Sequence, residues 1–342
     1  MSAAAAGRTD DESPRLRFGF ALRSGIGVAI PLVVGVLADD VPAGAVAGGG
    51  AVVVGFADVG DTISHRALAM LATSVLAAFS TTVGVLAADA EIAALAVSGL
   101  WGLATGLLVA GGPIAGCVGL SATVALVVFT GETTGPHAAL ELGGFTLAGG
   151  LTQTALAALV PTRSGYPVHP LGPRALRDAI AGALSLSDPV GRHALRLGLA
   201  LTVATAVYRL LPVDRGYWIP ITVLFVMRPE AGRTRTRIVQ RFLGTVLGLL
   251  AITLLVAILE PGPLVLALIC AAAIVPAYAY LWIDYTRFNA ALAGAAVALA
   301  ALLGLPEPIA ALNRLVDTLV GLGIVSLFLV LLPEAPRGTA RA

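Results

Sequence analysis

Twelve long apolar runs, with arginine concentrated in every second gap between them, constrain this chain more than any other feature. All 21 basic residues are arginine, and none is lysine. Charged residues make up 12 % of the 342, against about 25 % in a soluble domain. Hydrophobic residues make up 58 %, more than one water-soluble core can bury, so the bilayer is the main solvent. The runs are continuously apolar, whereas a membrane barrel alternates, so the fold class is an all-α polytopic membrane protein.

Helices of ~20 residues span a bilayer, and about twelve of them use up the chain, leaving no stretch for a sizeable extramembrane domain. The spans are expected at 18–38, 41–57, 65–88, 91–109, 111–130 and 137–160, then at 193–213, 216–228, 236–259, 263–283, 288–304 and 311–332. The first run follows Arg15 and Arg17 like a signal peptide. It has a counterpart later in the chain, which a cleaved leader does not, so it reads as a retained helix.

That counterpart belongs to a tandem duplication. Ala21-Leu22-Arg23-Ser24-Gly25 recurs 173 residues on as Ala194-Leu195-Arg196-Leu197-Gly198. At an offset of 172, Gly60 matches Gly232, Thr62 Thr234, Thr73 Thr245, Thr146 Thr318, Gly149 Gly321 and Pro161 Pro333. A nearly constant offset across a whole half predicts two six-helix repeats. The repeats occupy 18–160 and 193–332, flanked by tails at 1–17 and 333–342 and joined by a Pro-, Gly-, Ser- and Arg-rich linker at 161–192. Eighteen arginines fall on one side of this topology and three (Arg209, Arg215, Arg314) on the other. The positive-inside rule then makes both termini and the linker cytoplasmic, in the plasma (cytoplasmic) membrane. Six spans per half make the repeats parallel, related by an axis along the membrane normal.

Several chemistries drop out. Without lysine there is no P-loop lysine, and H-E-x-x-H, G-x-S-x-G and C-x-x-C are absent, so no enzyme, catalytic residue, metal or cofactor is expected. A net charge of +1 argues against a nucleic-acid partner. Cys117 and Cys270 fall inside spans and read as packing residues.

What remains is transport. Spans 2 and 8 hold equivalent places and are both irregular: Gly48-Gly49-Gly50 in one, Pro220 in a short Tyr217 to Met227 stretch in the other. Such irregularity frees backbone for a central site, or merely allows close packing and a kink. Arg233, Arg237 and Arg241, four apart after Arg228, form one stripe on a helix. Their guanidinium forks suit carboxylates, and they equally suit lipid phosphates at a membrane anchor. Charges inside spans are expensive and so invite a functional reading. Arg23 and Arg196 are substrate candidates or snorkelling residues. Arg314 and Asp317, three apart, are an expected ion pair, and Asp317, Asp58 and Glu141 are candidate proton carriers. Tyr278, Tyr280, Trp282 and Tyr285 cluster near one span end as an interfacial belt or a stacking surface.

Tyr217-Trp218-Ile219-Pro220-Ile221-Thr222-Val223, Arg228-Pro229, Gly232-Arg233-Thr234, Arg237 and Arg241-Phe242-Leu243-Gly244-Thr245-Val246-Leu247-Gly248 resemble the hallmark segment of the fusaric acid resistance protein-like family, which includes aromatic acid exporters. Asn313 to Gly321 resembles its closing span. In the first half the pattern is degraded: Phe56-Ala57-Asp58-Val59-Gly60-Asp61-Thr62 stands opposite Arg228 to Thr234, and His65 opposite Arg237. The resemblance implies efflux of organic, often aromatic, acids, with Trp218 and the arginines toward the substrate. The partners expected are a small organic anion and the lipid bilayer, with a homo-oligomer or a separate accessory subunit left open. An anion channel and a non-transporting scaffold are the alternatives.

Overall fold

Three of the largest fully buried side chains are arginines (Arg196, Arg241, Arg314), while Leu68, Leu250, Leu254 and Val330 face outward. That inversion of a soluble core is what lipid as solvent produces. The computed structural model describes residues 16–131, 135–162, 168–211 and 215–333, and the described residues are helical with no strand. Most of both expected tails lies outside them.

The first half holds α1 (Phe18–Leu37), α2 (Val41–Gly55), α3 (Ile63–Ala88), α4 (Glu91–Leu108), α5 (Gly112–Phe129) and α6 (Ala139–Leu159). The second holds α8 (Pro189–Leu210), α9 (Trp218–Val226), α10 (Ala231–Leu259), α11 (Pro263–Tyr280), α12 (Tyr285–Leu302) and α13 (Glu307–Leu331). Eight helical stretches are long and apolar enough to cross a membrane, with α4, a single 3₁₀ turn and α5 making one of 39 residues. Gly112 takes φ +82° where that turn ends, a conformation open to glycine without strain.

Between the halves, within the Pro-, Gly-, Ser- and Arg-rich linker, lies α7 (Pro173–Ala183), a helix for which the sequence reading held no expectation. Pro173 supplies a preset φ and no wasted N–H at the first helical position. Leu176 then seats against Gly111, so close that a Cβ on Gly111 would meet it at 2.4 Å.

Of the two readings left open for the irregular spans, close packing is the one seen at the glycines, and neither a break nor a kink is present. The Gly48-Gly49-Gly50 run does not break α2, which is continuous through it. Instead Gly50 lets the α6 backbone in, an added Cβ meeting the Thr146 carbonyl oxygen at 2.3 Å. Pro220 does not kink α9, because it stands in the first turn, where the missing N–H has no partner to lose.

Helix packings recur between the halves. α3 packs on α5 and α6, and α10 on α12 and α13; α2 packs on α6 and α9 on α13; α1 packs on α11 of the other half and α4 on α8. The detail recurs as well: Gly25 faces the Ala271 carbonyl and Gly198 the Gly99 carbonyl. Small residues let backbones approach where lipid supplies no hydrophobic drive for helix association. Side-chain hydrogen bonds add to this, as in Arg209, which donates to the carbonyls of Thr130 (2.8 Å) and Ala88 (2.9 Å) at one end of the bundle.

Candidate functional site

Two cavities lie end to end between the halves. The first, of 400 Å³, opens at the end where α9 turns into α10. Met227 to Glu230 form that turn, and Thr234 Oγ1 fastens it by accepting the Arg228 N–H at 3.0 Å. Arg228, Arg233 and Arg237 line the cavity, facing Trp282, Tyr285, Phe225, Phe288 and Phe56. Arg228 and Arg237 each donate to the Phe225 carbonyl oxygen at 3.3 Å. The Arg237 guanidinium stacks 4.2 Å from the centre of the Tyr285 ring. His193 also lines this cavity, buried and with no hydrogen bond at Nδ1.

The expected stripe is real but graded. Arg233 is exposed and pairs with Glu230 at 3.7 Å, Arg237 is half-buried, and Arg241, one turn beyond Arg237, is buried. Arg241 does not line the cavity; it donates to Thr222 Oγ1 at 3.3 Å and lies 5.8 Å from the Phe225 ring centre. Asn289 in turn donates to the Arg241 carbonyl (2.8 Å) and to Thr245 Oγ1 (3.0 Å).

The second cavity, of 340 Å³, is almost wholly apolar. Gly48, Gly49 and Gly50 of α2, Val124 and Val128 of α5, Ile221 of α9 and Leu292 of α12 line it. Arg215, Tyr217 and Trp218 stand on its wall, so Trp218 is remote from the arginine cavity where the sequence grouped it. One helical turn separates the cavities. The wall passes from one to the other between Val53 and Phe56, Leu120 and Val124, Ile221 and Leu224, and Phe288 and Leu292. Three or four residues of helix rise about 5–6 Å. The Phe56, Phe225 and Phe288 rings, all on the arginine cavity's side of that turn, meet with centroids 5.9 to 6.1 Å apart, and Tyr278 packs at 5.7 Å from Phe56.

The remaining candidates fall into separate places. Arg23 pairs with Asp58, which also accepts from Arg66 Nε at 2.5 Å and Nη2 at 3.0 Å; Arg66 Nη1 reaches the Thr162 carbonyl at 2.5 Å. This is a buried ion cluster tying α1, the α2–α3 loop, α3 and the end of α6 together. Arg196 is buried in α8 and Glu141 is exposed on α6, and neither lines either of these two cavities.

The expected Arg314–Asp317 ion pair is not closed. Arg314 instead lies 4.0 Å from the Trp218 ring centre and donates to Thr318 Oγ1 at 3.2 Å. The indole face, presented from α9, holds the guanidinium away from the carboxylate one turn along α13. Asp317 stays buried with neither oxygen hydrogen-bonded, beside a 10 Å³ void. Arg215, Trp218, Ala296 and Ala300 line both that void and the apolar cavity.

Phe56, Phe225, Phe288 and His193 escaped the sequence reading. Phe56 had one available signal: it occupies the repeat position of Arg228, 172 residues earlier.

Residues 203–328 match the profile of the fusaric acid resistance protein-like family. The similarity to that family therefore lies in the second half of the chain. The match takes in α9 to α12 and most of α13, hence both cavities' second-half walls apart from His193 and Leu197 of α8. YhfK of Escherichia coli (strain K12) is 37 % identical over 148 residues, 43 % of this chain and 21 % of the relative. A Synechocystis protein, slr1298, is 32 % identical over 148 residues, 43 % of this chain and 20 % of the relative. The inner membrane protein YccS of E. coli is 40 % identical over 58 residues, 17 % of this chain and 8 % of the relative. The chain thus spans about a fifth or less of the length of these relatives. No solved structure matches it. Its eight helical stretches long and apolar enough to cross a membrane, together with these similarities, are those of a multi-pass membrane protein in contact with the bilayer.

Proposed function

We propose that this chain carries organic acids with an aromatic ring across the inner membrane, outward and coupled to protons. The observation that carries the reading is the 400 Å³ cavity in which Arg228 and Arg237 sit against Tyr285, Trp282 and three phenylalanines. Two guanidiniums beside aromatic faces suit a carboxylate joined to a ring: the forks take the oxygens and the rings take the π-face. A cavity of this size lies within the roughly 300–1,000 Å³ of small-molecule sites.

Twelve spans in two parallel repeats remain our reading of the architecture, supported by the recurring packings and by cavity walls in which α2 and α9 run one way and α5 and α12 the other. The cavity arginines lie on the cytoplasmic side in this reading, by the positive-inside rule. Asp317 is favoured as the proton carrier, because its carboxylate is buried, unbonded and next to the apolar cavity. Asp58 already serves two arginines, and Glu141 faces outward. The closed aromatic wall favours alternating access over an open anion channel.

Purified protein in liposomes tests the proposal. Labelled benzoate should move against its gradient when a pH gradient is imposed, and the flux should vanish in Asp317→Asn while benzoate binding persists. No benzoate binding to the wild type, or benzoate flux indifferent to protons, overturns it.

A further inference from the structure

The apolar cavity has no part in the carboxylate chemistry above, yet it shares helices α2, α5, α9 and α12 with the arginine cavity and begins one turn away on each. We propose that it is a second binding site on the same route, taking the ring of an aromatic acid whose carboxylate reaches Arg215. The Phe56, Phe225 and Phe288 contact is then the barrier between the two sites. This inference rests on the transport reading.

Three observations converge on it. Away from Arg215, Tyr217 and Trp218 the wall is apolar, Phe129 included, and its two threonine hydroxyls, Thr81 and Thr146, are 3.1 Å from each other and so already partnered. That stretch of wall, with no hydrogen bonds to offer, accepts an apolar body and rejects a bare anion. One cation is nevertheless present, Arg215, half-buried, with Tyr217 and Trp218 next to it. Arg215 adopts φ +61°, a left-handed conformation that few non-glycine residues take, so the turn before α9 holds it in place at a local energetic cost. The barrier, finally, is one ring layer thick. Phe56 comes from the first half, Phe225 and Phe288 from the second, so a small shift between the halves would part them. An aromatic acid meets rings on both sides of that layer and a cation beyond each.

Single cysteines read both claims. In a Cys117→Ser/Cys270→Ser background, Gly49→Cys places a thiol in the apolar cavity and Gly116→Cys one in the arginine cavity. Neither position has an atom within 4 Å of an added Cβ, so both variants should fold. Impermeant thiol reagents applied to right-side-out and inverted vesicles should modify the two from opposite faces only. Benzoate should slow modification at both by at least fivefold, and Arg215→Gln should raise the benzoate concentration needed at position 49 about tenfold, the scale of one charge-assisted hydrogen bond. Phe56→Ala should make both thiols reactive from either face.

Modification of both cysteines from the same face overturns the barrier. Benzoate protection at position 116 alone overturns the second site and leaves the transport reading standing. Protection of position 49 by a long-chain alkyl sulfonate but not by benzoate assigns the cavity to lipid tails and likewise overturns it. Protection at neither position, with no flux in liposomes, sinks both readings.

Discussion

Arg228 and Arg237 both donate to the carbonyl oxygen of Phe225, at 3.3 Å each, so two like charges converge on a single backbone acceptor. One neutral oxygen compensates two guanidiniums poorly, and a bound carboxylate would compensate them well. The same carbonyl belongs to a barrier ring, which brings recognition at the arginines next to the layer that separates the cavities.

Arg237→Gln should therefore weaken benzoate binding ten- to a hundredfold, matching about 1.5–3 kcal/mol for a hydrogen bond to a charged group. Arg237→Lys is more discriminating. It keeps a cation for lipid phosphates but loses the planar fork and the stacking on Tyr285, 4.2 Å away. Calorimetry on detergent-purified protein should show Lys close to Gln. If Lys binds as tightly as the parent, Arg237 is a membrane anchor.

The first half's charges should matter to folding rather than to binding. Asp58 is buried between Arg23 and Arg66, and a buried charge stripped of its partner costs about 3–5 kcal/mol. Asp58→Asn should lower the melting temperature sharply while folded protein binds benzoate normally. Arg23→Met combined with Asp58→Asn should lose less than the sum of the single losses, since the two share one interaction. Strictly additive losses would mean that the pair is not coupled.

Acid sensitivity should appear outside the membrane, at Asp61. Its carboxylate accepts from His65 at 2.6 Å and lies 2.8 Å from His169 of the linker. The hydrogen bond from His65 holds its pKa below the ordinary 3.8. A carboxyl whose folded-state value is depressed stabilises the fold fully above the unfolded value and loses that contribution as pH falls through the folded one. Melting temperatures of the parent and Asp61→Asn should differ by a constant amount at neutral pH and converge below about pH 4. A gap that persists undiminished into strong acid would falsify the role of this contact.

Sidedness has its own check. If the arginine-rich end is cytoplasmic, a cysteine at His169, whose side chain is 87 % exposed, is hidden from an impermeant reagent on intact cells, and one at Glu91 is labelled. Ser164, within the same linker, lies outside the described residues. Labelling at 169 with sparing of 91 inverts the orientation, and with it the direction of transport.

Much of this protein was written in order along the chain. Helices in lipid must satisfy their own backbone, so runs of apolar residues near twenty long become helices wherever they occur. The Arg233, Arg237, Arg241 stripe follows from the 3.6-residue period alone. Proline and glycine effects were less legible. Pro220 breaks nothing because of where α9 starts, and Gly50 serves a neighbour, α6, that its own segment does not name.

Which helix face looks inward was decided by tertiary structure. A soluble helix marks its buried face by hydrophobicity, but lipid and protein interior are equally apolar, so a membrane helix carries almost no such mark. Nothing local distinguishes Phe56, Phe225 and Phe288 from residues that face lipid, and they meet only because α2, α9 and α12 converge. For the same reason Asp58 could be seen as an expensive charge, while its partner Arg23, 35 positions away, could not be named. Arg314 shows the limit most clearly. Spacing along α13 offered it Asp317, and the face of Trp218, brought from another helix, took it instead.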